Sequence, residues 1–90
     1  MNKTQLIQQL KDKTGLSKKD IELTVNAFIE SVTETLEAGE KVQIVGFGHF
    51  ETRNRSARKG RNPQTGQEIT IPESRVPAFK AGKQLKEAVN

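Results

Sequence analysis

The reading of this chain turns on Gly46-Phe47-Gly48-His49-Phe50-Glu51-Thr52-Arg53-Asn54-Arg55-Ser56-Ala57-Arg58-Lys59-Gly60-Arg61-Asn62-Pro63-Gln64-Thr65-Gly66. It opens on a tight turn, with Phe47 between two glycines. It runs as a strand from His49 to about Arg58, then reaches the turn signals Gly60, Asn62-Pro63 and Thr65-Gly66. From Arg53 to Arg61 it holds five cations in nine residues and no acid. Four of the five are arginines, whose planar guanidinium suits phosphate. A solvated charge run usually mixes signs, and this one does not, so it reads as a surface for a polyanion. Glu68-Ile69-Thr70-Ile71 can pair back on the strand, making residues 53–75 a ribbon or arm. Pro72 and Pro77 restrict the return to an edge or broken strand. Only Ala57, Ile69 and Ile71 in this arm are clearly apolar, and a lone two-stranded ribbon is marginal in water. The arm is therefore expected to be mobile until a partner covers it.

Outward from the arm, Lys41-Val42-Gln43-Ile44-Val45 alternates as a strand. The first 40 residues read as a helical hairpin. Asn2 with Gln5 is a capping pair for a helix over 3–14, whose Leu6, Ile7 and Leu10 share a face, and Gly15 ends it. Ser17 through Asp20 caps a second helix with the stripe Ile21, Val25, Phe28, Ile29, Val32 and Leu36, stopped at Gly39. A groove-reading helix-turn-helix is disfavoured, because 20–40 holds six acids and no Lys or Arg. Gly82 opens a last helix, 82–90, with Leu85 and Val89 on one face. The expectation is one α+β domain over 1–90: hairpin 1–40, sheet 41–52 and 76–81, arm 53–75, helix 82–90.

Composition agrees with one small domain that needs a partner. Ninety residues leave no room for two cores, and 32% hydrophobic content makes the single core thin. The mean hydropathy is −0.70. There is no cysteine and one histidine, which excludes disulfides and Cys-based zinc sites and disfavours other metal sites. No apolar run is long enough to span a bilayer and no signal-peptide pattern is visible, so a soluble cytoplasmic protein is expected. The net charge is +4 and the pI about 9.6. Residues 1–40 carry five Lys against seven acids, and 41–90 carry ten cations against four acids. The basic character therefore belongs to the second half.

The residues suggest how such an arm would bind. A two-stranded ribbon fits a DNA groove, and Arg53 and Arg55 alternate onto one face. Pro63 at the tip is a turn proline whose rigid ring is also shaped as a wedge between base steps. Sequence preference should be weak, and distorted DNA should bind better because part of the bending cost is already met. Two rivals stand beside this reading. Glu51, Glu68 and Glu73 with a metal would make a small nuclease, but their spacing does not recommend it. A basic arm could also take an acidic protein. Ser17 and Ser74 have no base placed to activate them, and His49 reads as a partly exposed strand residue.

The segment 46–66, with Val76-Pro77-Ala78-Phe79-Lys80-Ala81-Gly82-Lys83 and the opening Met1-Asn2-Lys3-Thr4, resembles the bacterial histone-like HU proteins, relatives of integration host factor. The resemblance covers essentially the whole chain. It implies an intertwined homodimer with an α-helical base, a small antiparallel sheet and two protruding β-ribbon arms. The function it implies is non-enzymatic and architectural: bending, wrapping and compacting double-stranded DNA through the minor groove, in the nucleoid. That role comes with the resemblance and not from residue spacing. Phe47, Phe50 and Phe79 match the shared dimer core, and Pro63 the intercalating tip. Arg53, Arg55, Arg58, Lys59, Arg61 and Asn62 match the DNA-binding arm, and Lys3, Lys80, Lys83 and Lys86 the flanking DNA path. No cofactor or metal is implied. His49 stands where many relatives carry Asn, and Ser56 where many carry Ala. A site-selective, integration-host-factor-like subunit is the alternative.

Overall fold

A computed structural model describes residues 1–90. By internal contacts the chain forms two compact units, 1–34 and 35–90.

The first unit is helical. Helix α1 (Lys3–Thr14) starts in a full capping box, with Asn2 accepting from the Gln5 amide and Gln5 accepting from the Asn2 amide. Two otherwise orphan donors are thus satisfied. Gly15 closes the helix, its amide donating to the Lys11 carbonyl. Helix α2 (Lys18–Glu37) begins where Ser17 Oγ accepts from the Asp20 amide at 3.1 Å, as its capping signal predicts. Ile7 and Ile21 are the only buried side chains of the whole chain.

The end of α2 opens the second unit. The Glu40 amide donates to the Thr35 carbonyl and the Gly39 amide to the Leu36 carbonyl. This pair of bonds is a Schellman closure, and it requires Gly39 at its φ of 80°. Arg75 supplies a further donor to the carbonyl of Glu37 at 3.3 Å. Strands β1 (Val42–Ile44), β2 (Gly48–Arg55) and β5 (Ser74–Ala81) form an antiparallel sheet in the order β1-β2-β5. Strands β3 (Arg58–Arg61) and β4 (Glu68–Ile71) form a separate two-stranded ribbon. Helix α3 (Lys83–Ala88) ends the chain and is shorter than the expected 82–90.

Two boundaries differ from expectation for one reason. The sheet runs on to the pair Arg55↔Ser74, past the limits 52 and 76, and the strand expected to reach Arg58 breaks at Ser56-Ala57. Opposite that break lie Pro72 and Glu73, so two residues drop out on each side and the register continues unshifted into Arg58↔Ile71. Pro77 sits inside the β2–β5 ladder, opposite Thr52, without disturbing it. Its nitrogen therefore faces away from β2, as edge strands allow. Pro72 lies five residues earlier, on the opposite parity, so its nitrogen faces the partner strand where a donor is needed. The ladder opens there.

The sheet has two unlike faces. Alternation and register place Val42, Ile44, Phe50 and Phe79 on one. Phe79 stacks at a tilt between Phe47 and Phe50, with ring centroids 5.2 and 5.0 Å away. Gly48 is required beneath this cluster. A Cβ there would lie 2.5 Å from the Lys80 carbonyl oxygen and 2.7 Å from the Phe79 ring.

Candidate nucleic-acid interface

The other face of the sheet is charged. The same register places Gln43, His49, Glu51, Arg53 and Arg55 on it, with Lys80 directly across from His49. Lys41, just before β1, reaches the same side, because its Nζ lies 3.9 Å from Glu51 Oε2. Glu51 is the only acid of this face and lies at its centre. Its Oε1 is 3.5 Å from His49 Nε2 and 3.6 Å from the Arg53 guanidinium. The Glu51 side chain is only 17% exposed, whereas that of Arg53 is 60% and that of Lys41 67% exposed. Burial alone would raise the Glu51 pKa, but the charges at His49, Lys41 and Arg53 outweigh it and hold the group below its ordinary value.

The ribbon carries the charge outward. Arg58 shares a face with Ile69 and Ile71, whose side chains lie over Gly60. Lys59 and Arg61 share the other face with Glu68, and Lys59 Nζ is 3.8 Å from Glu68. The cations of 53–61 are thus not one uniform stripe, since Arg58 alternates away from its neighbours. At the break, Arg55 and Arg58 nevertheless line a common cleft with Ser56, Ile71, Pro72 and Ser74.

The tip is held by Asn62. Its backbone amide donates to the Gln67 carbonyl and its carbonyl accepts from the Gly66 amide, each at 2.8 Å. Its Oδ1 accepts from the Gln64 amide at 2.9 Å, an Asx-turn. Asn62 is therefore a brace first, with its side-chain oxygen already engaged. Pro63 is exposed on the turn that Asn62 braces.

The remaining expected contacts lie on the helices. Lys3 Nζ donates to Asn26 Oδ1 at 2.6 Å within the helical unit. Lys83 and Lys86 sit on α3, where Lys83 is 3.9 Å from Glu87. Two residues were missed by sequence reading. Lys41 joins the charged face, and counting back in twos from Gln43 would have found it. Arg75 belongs to the opposite face and caps α2, which no sequence signal discloses. Glu51, which the sequence offered only as a rival metal ligand, is the hub of the face. Glu68 lies on the ribbon and Glu73 at its break, far along the register from Glu51, and the acids form no cluster able to hold a metal ion.

The family model described as "Bacterial DNA-binding protein" matches residues 1–90. The chain is 61% identical over 89 residues to DNA-binding protein HU of Geobacillus stearothermophilus, covering 99% of each. It is 65% identical over 88 residues to DNA-binding protein HU of Lactococcus lactis, covering 98% of this chain and 97% of the relative. Among solved structures it is similar to HU in an Anabaena HU–DNA cocrystal, with a TM-score of 0.93 and 45% identity over 99% of this chain and 97% of that one. HU from Thermotoga maritima matches with a TM-score of 0.71 and 40% identity over the whole of both chains. The helical hairpin, the small sheet and the basic ribbon are thus those of an HU fold, and the chain belongs to the bacterial DNA-binding protein family.

Proposed function

We propose that this chain is an architectural DNA-binding protein that acts as a homodimer, binds double-stranded DNA with little sequence preference, and bends and compacts it through the minor groove. The observation that carries this reading is the continuous cationic surface from Lys41, Arg53, Arg55 and Lys80 on the sheet to Lys59 and Arg61 on the ribbon, ending at the exposed Pro63. Arg and Lys neutralise phosphates and release counterions, which gives affinity without base readout. Pro63 enters between base steps, and the unstacking cost is offset by contacts that bent DNA makes with the sheet. Lys3, Lys83 and Lys86 act along the flanking path.

The dimer follows from what one chain leaves uncovered. Leu23 is 60%, Phe28 47%, Ile29 51% and Val45 99% exposed, and no residue of the second unit is fully buried. A second copy covers the Phe47, Phe50 and Phe79 cluster. No enzymatic activity is assigned, and no metal or cofactor is required. The nucleoid is the location consistent with this role, and no helix is long and apolar enough to cross a membrane. The alternative of a site-selective, integration-host-factor-like subunit is not favoured, since the curated relatives at 60–65% identity are HU proteins.

Gel-shift titration on intact, nicked and gapped duplexes tests the reading. The nicked and gapped forms should bind more tightly. Equal affinity for all three would remove the bending role, and no binding to any would remove the DNA reading.

A further inference from the structure

Glu51 is the one feature of the charged face that opposes DNA. Three cationic or protonatable groups converge on it, Lys41 from beside β1 and His49 and Arg53 from β2, while Lys80 of β5 stands across from His49. A DNA phosphate oxygen would be met by the same convergence. His49 and Arg53 approach the same carboxylate oxygen, Oε1, whereas Lys41 approaches Oε2.

We propose that Glu51 is an internal competitor for phosphate, occupying Arg53 and Lys41 in the free protein and thereby setting the affinity of the sheet for DNA. The proposal rests on the DNA-binding reading of this face. Arg53 and Lys41 balance the Glu51 charge, and a phosphate that takes either of them must displace the carboxylate. Glu51 stays ionised at neutral pH, because its carboxyl is held below its ordinary value of 4.5.

Duplex titrations with the full chain and two variants provide the test. Glu51→Gln keeps the shape of the side chain and removes its charge. It should tighten duplex binding about three- to tenfold and steepen the log–log salt dependence by about one, the increment of one added phosphate contact. Glu73→Gln removes an equal charge beside the arm, from an acid with no ion pair. It should leave the slope unchanged. Circular dichroism and melting confirm that each variant is folded. The proposal is overturned if Glu51→Gln matches Glu73→Gln in affinity and slope. Absence of binding by the parent would instead overturn the DNA reading itself, which separates the two failures.

Discussion

At the scale of single residues, Pro63 and Gly48 show how one position serves two demands. Pro63 closes a turn that Asn62 braces through three hydrogen bonds, so the tip keeps its shape without the proline ring. Pro63→Ala should therefore leave the ribbon folded and the cations in place. A bend-sensitive energy-transfer assay should show reduced bending, while plain-duplex affinity falls much less. Parental bending by the variant would leave Pro63 as a turn residue only. Gly48 lies where the Phe79 ring and the Lys80 carbonyl leave no space for a methyl group. Gly48→Ala should cost about 1–3 kcal/mol of stability, read from denaturant melts, because neither strand backbone nor a ring wedged between two others yields cheaply. Gly48 was legible in the sequence as part of a turn. The ring crossing it was not, since that depends on register with a strand about thirty residues away.

At the scale of elements, what the sequence disclosed follows locality. Both helices could be read closely because their signals are local: the Asn2–Gln5 box, the Ser17 cap, and the glycines at 15 and 39. The arm's boundary could not, because Pro72 and Pro77 look alike in sequence and differ only in which way the nitrogen faces. That parity is fixed by pairing. Likewise the cations of 53–61 read as one run, whereas register sends Arg58 to the face of Ile69 and Ile71. The Pro72 account has a consequence for hydrogen exchange. Pro72→Ala restores a donor opposite Ala57, so amides on either side of the break should exchange more slowly in the free protein. Unchanged exchange would mean that Ser56 and Ala57, not Pro72, open the ladder. In the parent, DNA should slow exchange across 53–75, since the ribbon has little apolar cover of its own.

At the scale of the whole molecule, one chain is short of core. Its composition predicts this, and the structure bears it out in having only Ile7 and Ile21 buried. The Phe47, Phe50 and Phe79 surface was named by resemblance alone, because exposure is a property of the folded chain and no periodicity discloses it. If the dimer completes the core, the melting temperature should rise with protein concentration. Phe47→Ala should weaken assembly, at a cost of about 3–5 kcal/mol. A concentration-independent melt from a monomer at micromolar dilution would contradict the dimer. The central claim is that affinity comes from cations meeting phosphate. Titration of intact duplex over a range of salt tests it most directly. With about six to ten phosphates neutralised, log affinity should fall against log salt with a slope of about −5 to −9, and replacing Arg55 and Arg58 with Gln should flatten it. A slope near zero would show that these cations do not face phosphate and would contradict the account.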